Sequence, residues 1–173
     1  MKRLLITVTI LMSALLTTLT TQAQPFDYQN IIKFAHYVYW PDPLPQDTFI
    51  IYIAAESPEP LTLITESLSS QKFKGKPITI KIYTDDTPID DALVVFIDHS
   101  ANISYEILEG KLKKMKILTL SNNKNLLNYG CMFFIEQKAT SIDYLFKKET
   151  IIDSGLMFMT TLLSPGHQYK ENN

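Results

Sequence analysis

The chain has 173 residues, 46% of them hydrophobic, with 16 basic against 18 acidic side chains and a formal net charge of −2. That length suits one domain with a sizeable core, and the mildly acidic balance gives no electrostatic basis for gripping nucleic acid or an anionic membrane surface. Its single arginine, Arg3, and its single cysteine, Cys131, leave no guanidinium beyond the N-terminus to clamp a phosphate and no intrachain disulfide.

The first 23 residues read as a signal peptide. Lys2 and Arg3 form a basic start, Leu4 to Leu19 an apolar run, and Thr21-Gln22-Ala23 a small-residue exit, with cleavage expected before Gln24. The apolar run is short of the roughly 20 residues that span a bilayer. Residues 24–173 remain, 150 in all, and the loss of Lys2 and Arg3 takes the formal charge to −4. The expected division is a signal peptide over 1–23, one domain over 24–166 and a disordered tail over 167–173.

Tyr28, Ile31, Ile32, Ala35 and Val38 recur at spacings of three and four, which predicts a helix capped by Asp27 and ended by Trp40-Pro41. Phe49 to Ala54 is an apolar, β-branched run of the kind buried on both faces of a sheet. A helix from Ser57–Pro60 carries Leu61, Ile64 and Leu68, and Phe73 to Pro77 turns the chain. Ile78 to Ile82 alternates as a half-exposed strand, and Ala92 to Ile97 is a second buried one. Ile103, Ile107, Leu108 and Leu112 mark a further helix, and Lys116 to Leu120 another strand. Cys131–Glu136 and Ser141–Phe146 form a hairpin, and a helix from about Lys148 to Leu163 stops at Pro165-Gly166. Strands alternating with helices predict an α/β fold, a three-layer α/β/α sandwich on a mixed, mostly parallel sheet of about six strands.

Chemistry-bearing residues are sparse. Asp85, Asp86, Asp90 and Asp91 match no calcium loop and read as turn and cap residues. His36, His99 and His167 are dispersed, and the glycines form neither a nucleophile elbow nor a phosphate loop. Lys111, Lys113, Lys114 and Lys116 suit a helix end. Cys131 sits in an apolar strand-like run and reads as a buried small hydrophobe. No catalytic residue, metal or cofactor is assigned. One positional argument points to a small ligand. Open α/β sheets bind ligands beyond the carboxyl ends of their strands, where Glu56, Ser57, Asp98, His99, Ser100, Ser121 and Asn122 fall. Such a ligand-binding domain would resemble one lobe of a solute-binding protein. Tyr37, Tyr39 and Trp40 are the candidates for docking a protein partner, with burial against the sheet the favoured reading for Trp40.

The order of several short segments resembles the YfiR family of periplasmic proteins. Phe34–Pro41 matches its helix ending in aromatics and Trp-Pro, and Phe49–Ala55 its first strand and loop. Gly75–Ile78 matches its Gly-Lys-Pro-Ile turn, Val94–Ser100 its central strand, and Leu118–Ser121 its Leu-Thr-x-Ser segment. Gly130 opens an apolar strand, and Gly155-Leu156 with Leu162-Leu163 matches the closing segment. Ala92 stands where many members have a cysteine, and Tyr144 to Lys147 departs from a Phe-Glu-Ile-Asn-like ending. The resemblance implies a mixed α/β domain, exported to the periplasm and often dimeric; with no titratable pair spaced for acid–base work, the residues themselves point away from an enzyme. The resemblance also implies binding to the periplasmic sensor region of an inner-membrane signalling protein, a diguanylate cyclase or sensor kinase.

Overall fold

The computed structural model describes residues 26–40, 44, 46–56, 58–112 and 115–170. The expected signal peptide, Pro41 and Ser57 lie outside the described residues. Among the described residues four α-helices, α1 (Gln29–Ala35), α2 (Pro58–Leu68), α3 (Tyr105–Leu112) and α4 (Lys148–Ser154), accompany seven strands. These are β1 (Phe49–Ala54), β2 (Lys72–Phe73), β3 (Lys76–Ile82), β4 (Val94–Ile97), β5 (Leu118–Ser121), β6 (Phe133–Gln137) and β7 (Ile142–Phe146).

The strands form one sheet in the order β2-β3-β1-β4-β5-β6-β7. β3, β1, β4, β5 and β6 run parallel, and an antiparallel strand closes each edge. The α/β fold with a mixed, mostly parallel sheet is therefore present. The seventh strand is β2, two residues paired with Lys76 and Pro77 through a tight turn in which Lys74 and Gly75 both take positive φ. Too short to show a period, it reads in the sequence as plain turn.

Side chains alternate across the sheet, so β1 feeds two cores. Phe49, Ile51 and Ile53 join one with α1, α2, Ile151 of α4 and the later Phe158 and Leu162. Ile50, Tyr52 and Ala54 join the other with α3, Leu126 and Cys131. Every residue of β1, β4 and β5 is buried, which is why those strands read as continuous apolar runs.

Two helices end earlier than expected. All five apolar stripe residues of the first helix are buried, and Asp27 Oδ1 accepts the Gln29 N–H at 3.0 Å. Yet α1 stops at Ala35, because the next residues pair with another segment. Val38 bridges Phe158 in antiparallel fashion, the Tyr39 N–H donates to Met157 O and the Met159 N–H to Tyr37 O. The last helix stops at Ser154 rather than Leu163, because Gly155 adopts φ +66 and turns its N–H back to Ile152 O. The segment beyond Gly166, expected to be disordered, lies along β7 as far as Tyr169: Gln168 pairs with Phe146, and the Tyr169 N–H donates to Phe146 O.

Candidate functional site

The carboxyl ends of β4 and β5 bring most of the expected ligand residues together. Asp98 follows β4 directly, and its side chain is 1% exposed. Its Oδ1 accepts from both the backbone N–H and the hydroxyl of Ser100, at 2.9 and 2.7 Å. Its Oδ2 accepts from Asn122 Nδ2 at 2.9 Å. Asn122 Oδ1 in turn accepts the His99 N–H at 2.6 Å, and the Ser121 hydroxyl donates to Ile97 O at 2.6 Å. The network stitches the loop after β4 to the loop after β5. Burying a carboxylate needs this density of donors, and the donors are thereby committed. His99 alone reaches out, 71% exposed, with Nδ1 3.3 Å from Asp98 Oδ1. Glu56 is exposed, two residues past β1 at the same end of the sheet.

Two of the four aspartates brace neighbouring elements. Asp85 accepts the Ser104 N–H ahead of α3. Asp91 receives the Tyr52 hydroxyl at 2.8 Å and Lys81 Nζ at 2.5 Å. Among the described residues, no group of three His, Cys, Asp or Glu side chains is gathered to hold a metal ion. His36 packs its ring against Phe73. Cys131 is 1% exposed, and burial pushes its thiol up to about 12, against the weaker pull of its hydrogen bonds. A thiol so placed is unreactive in the native state.

At the opposite end of the sheet, a cleft of about 510 Å³ opens between α3 and α4. Leu112, Ile117 and Met132 form its floor, and Glu109, Glu149 and Asp153 stand among its lining residues. The Thr119 hydroxyl in that floor already serves Gly130 O and the Met132 N–H.

The docking candidates separate cleanly. Trp40 is buried: its indole N–H donates to Ala35 O at 2.8 Å, and its ring meets Phe49 and Phe73 edge-on. Tyr37 and Tyr39 are exposed, Tyr39 at 56%. Their pairing with Met157 and Met159 makes a short two-stranded ribbon. Val38 and Phe158 point into the core, while Tyr37, Tyr39, Met157 and Met159 point out. Met157 is 68% exposed. A groove of about 200 Å³, lined by Phe34, Ile142, Tyr144 and Leu162, adjoins Tyr37. Sequence reasoning missed both methionines by placing them in a helix. The alternation Met-Phe-Met, with the aromatic inside, is the signal that could have found them.

Tyrosine and methionine are side-chain types that protein interfaces favour, and four on one ribbon make a patch of the kind that marks a contact surface. Among the described residues no helix is long and apolar enough to cross a membrane. No curated protein matches the chain. The YfiR/HmsC-like family model matches residues 27–166, from the turn before α1 to the turn after Leu163, so the chain belongs to the YfiR/HmsC-like family, a family of periplasmic regulators.

Proposed function

We propose that this protein is an exported regulator that docks on the periplasmic sensor region of an inner-membrane signalling protein, a diguanylate cyclase or a sensor kinase. The observation that carries the reading is the ribbon. Four large apolar side chains face solvent on a backbone pinned from below by Val38 and Phe158. Family membership supports a membrane signalling protein as the kind of partner. Rigid aromatic anchors cost little conformational entropy when they dock, which suits a patch held by cross-strand pairing. No catalytic step is assigned.

A photo-crosslinking side chain in place of Tyr39, activated in intact cells, is expected to capture an inner-membrane protein with a cyclase or kinase domain. Tyr39→Ala with Met157→Ala is expected to weaken docking by about 2 kcal/mol, roughly 30-fold, without lowering the melting temperature. Capture of soluble proteins alone, or docking unchanged in the double variant, would overturn the reading.

A second reading places a small ligand at the carboxyl ends of the strands, around Glu56, Ser57, Asp98, His99, Ser100, Ser121 and Asn122. Exposed His99 beside buried Asp98 favours it. A ligand at 100 times its dissociation constant stabilises by about 2.7 kcal/mol, so thermal-shift screening decides, and His99→Ala should abolish the response.

A further inference from the structure

Strand β7 forms one edge of the sheet, and three backbone groups along that edge are engaged. Asp143 Oδ1 accepts the Tyr144 N–H at 2.9 Å. His167 Nδ1 donates to the Tyr144 carbonyl at 3.0 Å, and the imidazole stacks on the Tyr144 ring with centroids 4.2 Å apart. The Tyr169 N–H donates to the Phe146 carbonyl at 2.8 Å, in parallel pairing of Gln168 with Phe146. A sheet edge left open is a template for another strand. Here a segment from the chain's own C-terminus occupies that template.

The hold is light. One bridge, one imidazole hydrogen bond, one stacked ring and the approach of His167 Nδ1 to Asp143 Oδ1 at 3.7 Å attach the segment to β7, with Lys124 resting over Tyr169 at 5.8 Å. The neighbouring ladder between β6 and β7, by contrast, joins five residue pairs. We propose that residues 164–170 are a displaceable cover that prevents β7 from pairing with β7 of a second copy of this chain. The occupant follows from the edges available. The opposite edge strand, β2, has two residues, too few to receive a five-residue strand. A strand meeting its own copy across a two-fold axis forms a closed, isologous pair, with Tyr144 against Tyr144 and Asp143 against Leu145. Ile142, Tyr144 and Leu145 are each half-buried, so such pairing would bury further apolar surface. This inference is independent of the docking reading.

Sedimentation velocity over a concentration series tests it on three proteins. They are the wild-type chain, the full-length variant His167→Ala with Tyr169→Pro, and a chain ending at Ser164. Loss of amide protection at Gln168 reports release in the full-length variant. The near-ultraviolet signal of Trp40 reports that each protein is folded, and if the shortened chain fails that check the full-length variant decides. Both released forms are expected to self-associate with a dimer dissociation constant at least tenfold below that of wild type. Adding Ile142→Pro, at the first residue of β7 where proline is tolerated, should return the constant to the wild-type value. Self-association equal to wild type in the released forms, or insensitive to Ile142→Pro, overturns the proposal.

Discussion

At the residue scale, Trp40 shows how a docking-type side chain becomes a core one. Its N–H finds the Ala35 carbonyl at the end of α1, and Phe49 and Phe73 take its ring edge-on. Trp40→Ala is expected to cost about 3–5 kcal/mol and to lower the melting temperature severely. A variant that melts normally but no longer docks would instead place the indole on the partner surface. Asp91 carries a pH signature. The hydrogen bond from Lys81 lowers its pKa most, and the Tyr52 hydroxyl lowers it further, against partial desolvation. A carboxyl group depressed in the folded state contributes stability above its unfolded pKa of about 3.9 and loses it as pH falls through the folded value. Acid titration of the unfolding midpoint should therefore show a loss below about pH 4 that Asp91→Asn reduces. The group is partly exposed, so the effect is small and diminishes in high salt. An acid limb identical in wild type and Asp91→Asn would remove this pair from the account.

At the element scale, the stops matter more than the starts. α4 ends where Gly155 enters the left-handed region at φ +66. Gly155→Ala adds no clash, since the nearest atom is Lys116 Cε at 3.7 Å, but strains the backbone by about 1 kcal/mol. Equilibrium denaturation should show that loss with an unchanged slope, and a stabilised variant would mean the helix can run on. β1, β4 and β5, buried on both faces, and β3, which alternates strictly in sequence, were legible because each leaves a pattern within a few residues. The ribbon was not. Tyr37–Tyr39 and Met157–Met159 lie far apart in the chain, and each alone continues a helical period. Pairing between them overrides that local preference, and no window of sequence contains both halves. The candidate site shared this limit. The polar cluster after β4 and β5 was found from the positions of strand ends. That Asp98, Ser100 and Asn122 spend their hydrogen bonds on one another depends on the parallel register of Ile97 with Ser121.

At the scale of the whole molecule, the sheet is a shared wall rather than a boundary between two bodies. β1 and β4 each send alternate residues into both cores: Ile51, Ile53, Val94 and Phe96 on one side, Ile50, Tyr52, Val95 and Ile97 on the other. With no disulfide available, neither core is held apart from this wall. Losing one face removes the support that fixes the strand for the other, so the two must melt together. Ile53→Ala, fully buried in the first core, should cost about 2–5 kcal/mol. Val95→Ala, fully buried in the second, should destabilise the same transition by a smaller amount. Far-ultraviolet dichroism, which follows the backbone, and Trp40 fluorescence, which follows the first core alone, should report coincident midpoints in both variants. Should Val95→Ala shift only the dichroism transition and leave Trp40 unmoved, the cores would be separate folding units. The second face could then rearrange on its own while the docking ribbon, pinned to the first by Val38 and Phe158, stays in place.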